Sequence, residues 1–542
     1  MKNLILKSLF VIGILTLVSC DNYLDEVSIR DVSASSYYTT AQGLEDAVKA
    51  NYGIMKEFYG TELGFSMNVF GTDTYTNGAD GSHKYLNWYN SQHNSSARYF
   101  RDTWRIFYRG INQANAVLNR AESIEDIDVN LKNTRLAEVR FLRALYYFNL
   151  VRYYGDVHLS LEETEGIKTE ANRTSVQEIY AQAIIPDLEF AKSNLPVSQS
   201  DYGRAVKAAA EFLLAKVHLT APQGSAAQSV SLKTNVINNY GFTLLDDWSD
   251  LWNINNEENP EVVWTMINSK QQVDEGLDRY GHRGHLYFLM EYDKLPGMTR
   301  DTENGRPWKR FRPTDHLLGL WDRTKDARYD KGYKHVWYAN NPVEGQKVGD
   351  TALYIPGPGL DRNGIQQDKK WTQIAKDAVL FQVYTTDQYN QRLFPSLNKW
   401  IDPTRPNRQH TQGQRDYILM RLADAYLIRA EANLKQGNTA QAAEDLNVIR
   451  RRGAWDGKEA AMEITAAEVN IDFILDERAR ELVGEGHRWF DLVRTNKLID
   501  RVKAHNLDAM NNIQSYHVLR PIPLDQIDRT EGGYSQNPGY TQ

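Results

Sequence analysis

Cysteine is almost absent from this chain, since Cys20 is the only one among 542 residues. A single thiol excludes an intramolecular disulfide and a cysteine-based metal site. Apolar runs near membrane-spanning length are also scarce, with one example close to the N-terminus, which excludes a polytopic membrane protein. Long basic runs are missing and the net charge is −7, so we expect no nucleic-acid partner.

Sequence signatures of catalysis and of cofactor binding are missing too. The chain has no P-loop, no GxSxG, no dinucleotide-binding glycine pattern and no HExxH. His282 and His285 are three residues apart, but a zinc site needs a third and a fourth ligand. Residues 73–81 carry oxygen ligands at alternate positions but lack the downstream glutamate of a calcium loop. We therefore predict no cofactor, no metal site and no enzymatic activity.

Aromatic residues, in contrast, are abundant, with 12 Trp, 31 Tyr and 17 Phe. Tyrosine and tryptophan combine a flat apolar face with a polar group, which suits both sugar-binding surfaces and protein interfaces. An aromatic-rich surface without a specific ligand is the alternative. With 41% hydrophobic and 25% charged residues, the chain has the composition of an ordered globular protein with a large core.

The first nineteen residues are predicted to be a signal peptide. Lys2 and Lys7 precede the apolar run 9–18, which is too short to span a bilayer. Leu17-Val18-Ser19-Cys20 resembles a bacterial lipobox, so we predict lipidation of Cys20, with an ordinary signal peptide as the alternative. Residues 20–40 would form the tether. Its acidic start, residues 21–26, resembles the surface-export signal of Bacteroidetes lipoproteins and predicts an outer-membrane location facing the exterior.

Apolar residues recur at intervals of three and four over most of the remaining chain, which predicts a mainly α-helical fold. Residues 63–96 are rich in Gly, Asn, Asp and Ser and predict a long loop. Short strands are expected at 262–267 and 379–384. The helices are expected at 41–59, 97–121, 133–154, 175–195, 204–220, 417–435, 439–452 and 464–498.

The clearest helix pair, 417–435 and 439–452, carries small residues such as Ala430 and Ala442, which are typical of a tetratricopeptide unit. One such unit cannot bury its own face, so several are expected to stack. We predict one domain over 41–542, with a helical scaffold at 41–240 and 414–505. A loop-rich ligand-binding insertion is expected at 241–413 and an extended tail at 506–542.

Three segments together resemble the SusD/RagB family of outer-membrane nutrient-binding lipoproteins. The longest is residues 474–494, ILDERARELVGEGHRWFDLVR. The others are YILMRLADAYL followed by RAEA within 417–432, and the tail with Pro521-Ile522-Pro523 and Gln536-Asn537-Pro538-Gly539-Tyr540. With the lipobox, the likeness spans essentially the whole chain.

This resemblance implies a SusD-like helical fold with embedded tetratricopeptide-like pairs and a SusC-like, TonB-dependent β-barrel as partner. It implies capture of an oligo- or polysaccharide for import, or of a peptide as in the RagB branch. Glu477, Glu481 and Glu485 in the longest motif are spaced by four on a predicted helix. We interpret them as ion-paired structural residues and not as catalytic carboxylates.

A glycan site needs aromatic platforms at loop tips, surrounded by polar groups that bind hydroxyls. Two stretches meet this requirement, residues 73–89 (the first stretch) and 280–308 (the second stretch). Their family equivalents hold ligand contacts, but the residues vary and cannot be carried over individually. Trp104, Trp321 and Trp489 are assigned to the core instead. The candidate ligand residues are Asp73, Asn77, Tyr85, Trp88, Tyr89, Arg283, Arg300, Asp301, Trp308 and Trp371.

Three alternatives to glycan capture remain open at this point. A peptide ligand would favour polar groups that match a peptide backbone over aromatic platforms. A surface glycoside hydrolase would need two carboxylates roughly 5–10 Å apart in a cleft. A structural adhesin would bind no soluble sugar.

Overall fold

The computed structural model describes residues 37–268, 281–358 and 381–541. In the N-terminal half, helices dominate. They are α1 Ala41–Met55, α2 Glu62–Val69, α3 Tyr85–Trp88, α4 Arg98–Arg120, α5 Val129–Tyr154, α6 Val176–Ile179, α7 Ile185–Asn194, α8 Lys207–Thr220 and α9 Ala226–Asn238. A π-helical turn, Tyr180–Ile184, joins α6 to α7.

Most of the later helices are short. They are α10 Gly284–Tyr287, α11 Asp315–Leu318, α12 Arg328–Gly332, α13 Leu422–Lys435, α14 Thr439–Arg452, α15 Glu459–Met462, α16 Ile471–Glu481, α17 Arg488–Arg494, α18 Leu498–His505 and α19 Leu524–Arg529. In the described part of the chain, no helix is both long and apolar enough for a bilayer crossing.

The strands are short and form small separate sheets. They are β1 Tyr75–Asn77, β2 Val262–Met266, β3 Phe311–Pro313, β4 Tyr333–Lys334, β5 Val336–Tyr338, β6 Thr351–Tyr354, β7 Gln382–Val383, β8 Ser396–Leu397 and β9 Tyr417–Arg421. The pairs β1–β3, β2–β9, β4–β8 and β5–β6 are antiparallel, whereas β6–β7 is parallel. The mainly α fold with few short strands confirms the predicted fold class.

Local capping chemistry explains where the long helices begin and end. The Thr40 side chain accepts from Gly43 N–H at the start of α1. Asp128 caps α5 in the same way, one turn before the predicted start, and accepts from Leu131 N–H. Gly155 ends α5 with a positive φ of 73°, a conformation that glycine adopts without strain.

The α13–α14 pair has the close packing that its alanines predict. Ala430, Ala442 and Leu446 are fully buried in one cluster with Ile449. Gly437 makes the turn between the two helices with a φ of 78°. The main core is rich in aromatic residues and includes the three tryptophans assigned to it, since Trp104 and Trp321 are 5% exposed and Trp489 is fully buried.

Three local predictions were wrong. Residues 63–96 are not one loop, because α2 lies there with nearly all its residues buried; a helix buried on every side shows no amphipathic period. Residues 417–421 form β9 instead of a helix, since β2 supplies an antiparallel partner. The pattern over 464–498 is divided between α16 and α17 by Gly484 and Gly486, whose φ values are 76° and 79°.

Candidate functional site

The two stretches selected from the sequence lie side by side. Strand β1 of the first stretch pairs with β3, which directly follows the second stretch, and Asn77 is opposite Phe311. The pairing continues past the strands, because Gly78 N–H donates to the Arg310 carbonyl at 2.8 Å. Asp80 N–H donates to the Lys309 carbonyl at 3.2 Å. Chain segments more than two hundred residues apart in sequence therefore form one surface.

Backbone strain is concentrated at this junction. Among the described non-glycine residues, positive φ angles occur at His83, Tyr89, Lys309 and Asn496, with values of 55°, 50°, 52° and 57°. Three of these four belong to the first stretch or directly follow the second. Left-handed conformations of non-glycine residues are costly and tend to occur where a loop serves a function.

A cleft of about 600 Å³ opens beside this junction. Its walls come from the turn into α2, the N-terminal half of α4, His83 from the first stretch and Arg283 from the second. The His83 and Tyr99 rings are stacked, with centroids 3.6 Å apart and planes inclined by 18°. This pair supplies a flat aromatic surface in the wall of the cleft.

Of the predicted ligand residues, Arg283 lies at the cleft, Tyr85 contacts a residue of its wall, and Trp308 is linked to the wall through Arg310. Arg283 lines the cleft directly. Tyr85 is half-buried next to it, where its hydroxyl accepts from Tyr99 N–H at 3.2 Å and burial raises its pKa to about 12. Trp308 is partly buried against the main core, and its ring centre lies 5.8 Å from the guanidinium carbon of Arg310. Arg310 connects Trp308 to the cleft because it also pairs with Glu62 in the wall, at 2.5 Å.

The acidic groups in the wall are all held in ion pairs. Glu62 pairs with Arg310 and lies 3.6 Å from His83, Asp102 pairs with Arg98 at 2.9 Å, and Glu57 pairs with Arg109 at 2.5 Å. Burial lowers the pKa of His83 despite the nearby Glu62, so its imidazole is neutral at pH 7. These ion pairs hold Arg98, Arg109 and Arg310 in place beside the cleft.

Asp73, Asn77 and Tyr89 are buried and do not reach the cleft surface. The two Asp73 carboxylate oxygens accept from Arg488, and Oδ2 also accepts from Arg501. Asn77 lies within β1, and the Tyr89 hydroxyl donates to the Gly71 carbonyl at 2.8 Å. The sequence chose them because polar and aromatic residues are dense in this stretch. In the folded chain they support the loop from below, so we do not retain them as ligand contacts.

Trp88, Arg300 and Asp301 occupy other positions. Trp88 is half-exposed at the end of α3, with Lys84 Nζ 5.7 Å from its ring centre. Arg300 donates to Asp293 at 2.8 Å and to Gln409 at 3.1 Å. The Asp301 carboxylate accepts from Asn304 and Asn340, so both residues belong to a separate polar cluster.

Trp371 and Cys20 lie outside the described residues. His282 and His285 are buried, and His285 Nε2 is 3.0 Å from the Thr411 carbonyl. Burial lowers the pKa of His282 to about 3. Among residues 37–268, 281–358 and 381–541, no group of three or more His, Cys, Asp or Glu side chains is placed to hold a metal ion.

Sequence reasoning missed the contribution of α4 to the cleft. Arg98, Tyr99, Asp102, Arg105 and Arg109 all line it. A signal was present, because positions 98, 102, 105 and 109 follow helical spacing and form one polar stripe on a helix whose other side is apolar. What the spacing could not indicate is that this stripe borders a hollow and not open solvent.

Family models match both parts of the chain. A model of the SusD family matches residues 260–540, and a model described as starch-binding and associating with the outer membrane matches residues 22–219.

Individual relatives match over most of their length. SusD-like protein P25 of Formosa agariphila is 26% identical over 97% of this chain and 98% of its own length. Starch-binding protein SusD of Bacteroides thetaiotaomicron is 28% identical, with coverage of 79% and 76%. Among solved structures, a laminarin-binding SusD-like protein gives a TM-score of 0.69 at 24% identity, with coverage of 92% of this chain and 100% of that one. A SusD homologue from Bacteroides thetaiotaomicron gives 0.71 at 22% identity, covering 94% and 98%.

Proposed function

Because the chain belongs to the SusD family, we propose that it is a non-catalytic binding protein that captures an oligo- or polysaccharide at the cleft between α2 and α4. Relatives named for starch and for laminarin binding support a carbohydrate ligand. The observation that carries the proposal is the β1–β3 pairing, which joins two aromatic-rich stretches beside a cleft that Arg283 lines.

Each group at the cleft has a role in this proposal. The His83 ring, which is backed by the buried Tyr99, and the Trp308 indole offer aromatic faces to the C–H faces of sugar rings. Arg283 offers hydrogen-bond donors that fix the orientation of hydroxyl groups. Trp88 is an additional candidate contact further along the first stretch, since its ring is half-exposed.

Delivery and anchoring are further parts of the proposal. We infer that Cys20 carries the lipid anchor that holds the protein on the outer membrane, facing the exterior. A SusC-like, TonB-dependent barrel would receive the captured glycan. The family model whose description includes association with the outer membrane, matching 22–219, supports this location.

Calorimetric titration of the chain starting at Asp21 tests the carbohydrate ligand. The panel contains plant, microbial and host polysaccharides, with a peptide mixture alongside. We expect heat with one class of glycan and at least a tenfold loss of affinity in Trp308→Ala, because an aromatic stacking platform contributes about 1–3 kcal/mol. Trp455→Ala is the matched control, since Trp455 is a partly exposed tryptophan between α14 and α15.

The melting temperature of each variant separates loss of binding from loss of folding. Heat with peptides alone would replace the glycan by a peptide ligand of the RagB type. Release of reducing sugar during incubation with a bound glycan would contradict the non-catalytic assignment. Equal loss of affinity in Trp308→Ala and Trp455→Ala would show that the site lies elsewhere.

A further inference from the structure

The outer face of α4 presents a row of arginines to the solvent. Arg98, Arg105 and Arg109 follow helical spacing, and their side chains are 69%, 55% and 54% exposed. All three line the cleft, and Arg283 lines it from the other side. Four guanidinium groups therefore surround one hollow in a chain whose net charge is −7.

The acidic side chains near this row are less exposed to solvent than the arginine side chains. Glu57, Glu62 and Asp102 have side chains that are 20%, 21% and 25% exposed. Arg105 is the least compensated of the row, because its nearest paired carboxylate oxygen, on Asp525, is 3.9 Å away. A molecule that approaches the cleft from solvent therefore meets guanidinium groups before it meets carboxylates.

A second hollow lies on the other flank of α4. This groove, of about 1210 Å³, runs between α4 and the segment 158–171, which connects α5 to α6. Trp104, Tyr108 and Asn112 belong to its α4 wall. The groove and the cleft share Arg105 and Arg109 as lining residues. A ligand chain long enough to occupy both hollows must therefore cross these two arginines.

We propose that the captured glycan is an anionic polysaccharide, whose carboxylate or sulfate groups bind Arg105 and Arg109 where the chain crosses α4 from the cleft to the groove. This inference rests on the proposed function of the cleft. The planar guanidinium fork matches the two oxygens of a carboxylate or of a sulfate ester, and a neutral sugar hydroxyl cannot use both donors in this way.

Matched neutral and charged polysaccharides test this inference. The chain starting at Asp21 is titrated with dextran and dextran sulfate, and with polygalacturonate and its fully methyl-esterified form. We expect the charged member of at least one pair to bind at least tenfold more tightly than its neutral partner. Binding to polygalacturonate would identify carboxylate as the recognised group, and binding to dextran sulfate would identify sulfate. The affinity is expected to fall between 50 mM and 500 mM NaCl, since salt screens exposed charges.

The variant Arg105→Gln/Arg109→Gln tests whether the tighter binding of the charged polysaccharide depends on α4. We expect it to lose at least tenfold in affinity for the charged probe while its melting temperature stays close to that of the parent. Arg451→Gln/Lys458→Gln removes two cationic side chains at the end of α14 and the turn after it, and is expected to keep full affinity. This control separates a site on α4 from general attraction of polyanions.

Two results would overturn the inference and leave the proposed function standing. One is a neutral polysaccharide that binds as tightly as its charged partner. The other is a charged polysaccharide whose binding is unchanged in Arg105→Gln/Arg109→Gln. If no polysaccharide on either panel binds, both the inference and the proposed function fail.

Discussion

Asp73 illustrates how a single side chain can organise a loop from below its surface. Arg488 Nε and Nη2 donate to its two carboxylate oxygens at 2.7 Å and 2.6 Å, and Arg501 Nε donates to Oδ2 at 2.7 Å. Burial alone would raise the pKa of the Asp73 carboxyl, but the two guanidinium groups hold this pKa well below its usual range. The residue thus joins the first stretch to α17 and α18.

Substitution Asp73→Asn is expected to lower the free energy of unfolding by about 3 kcal/mol, because it leaves the buried Arg488 guanidinium without its carboxylate partner and removes one of the carboxylates that Arg501 contacts. Urea unfolding at pH 7 measures this change. Asp126→Asn, which alters an exposed aspartate before α5, is the control and is expected to stay within about 0.5 kcal/mol of the parent. A stable Asp73→Asn protein that fails to bind glycan would return Asp73 to the ligand site.

At the scale of elements, buried ion pairs attach α16 to its neighbours. Arg421 at the end of β9 donates to Glu481 at 2.8 Å and to Glu485 at 2.7 Å. Arg328 of α12 donates to Glu477 at 2.7 Å and to Glu481 at 3.0 Å. These contacts confirm the structural interpretation of the three glutamates. Glu485 lies beyond the end of α16, so it belongs to the turn and not to the helix.

This network predicts a loss of stability in acid. Burial raises the pKa of the Glu477, Glu481 and Asp491 carboxyls, but the adjacent guanidinium groups outweigh burial and leave each pKa well below its ordinary range. The unfolded chain therefore binds more protons than the folded chain once the pH falls below about 4.5, where free carboxyls titrate. The contribution of this network to the free energy of unfolding should be steady above about pH 5 and should decline below about pH 4.5.

Urea unfolding between pH 7 and pH 3 measures this decline, and one pair of variants assigns it. Glu481→Gln removes a buried carboxyl, so we expect a less stable protein at pH 7 with a shallower decline in acid. Glu444→Gln, at an exposed position on α14, should leave both the stability and the slope unchanged. Identical slopes in all three proteins would show that the acid sensitivity arises outside the network.

For the molecule as a whole, the C-terminal tail joins the end of α5. Arg520 N–H donates to the Tyr153 carbonyl at 2.7 Å. The Asn537 side-chain amide donates to the Tyr154 carbonyl at 2.9 Å and to the Arg520 carbonyl at 2.8 Å. Asn537 is 2% exposed, so these bonds form away from water. The C-terminal tail is therefore hydrogen-bonded to the last residues of α5.

Asn537→Ala is expected to lower the free energy of unfolding by about 1–3 kcal/mol, because two buried carbonyl groups lose their donor. Thermal and urea unfolding both report this loss. Thr541→Ala changes an exposed side chain near the end of the same tail and should have no measurable effect. Similar stability of both variants would show that the tail only covers the helices and does not hold them.

The sequence by itself determined the parts of this protein that depend on local pattern. The long helices α4, α5 and α14 lie within a few residues of their predicted bounds, because helical periodicity and capping side chains act over neighbouring residues. The motif over 474–494 indicated the family because it is a continuous segment of the sequence. Both candidate stretches were selected by their composition, which distinguishes them from the helices around them.

Only the tertiary structure decided which residues of those stretches are buried and which lie at the cleft. Asp73 is buried because Arg488 and Arg501, 415 and 428 residues later in the chain, come to rest against it. Arg283 comes to the cleft because its N–H donates at 2.8 Å to the carbonyl of Gly60, more than two hundred residues earlier in the chain. Burial and charge pairing depend on partners that are distant in sequence, and no local pattern records them. For the same reason, only the folded chain shows that the arginines of α4 line the cleft.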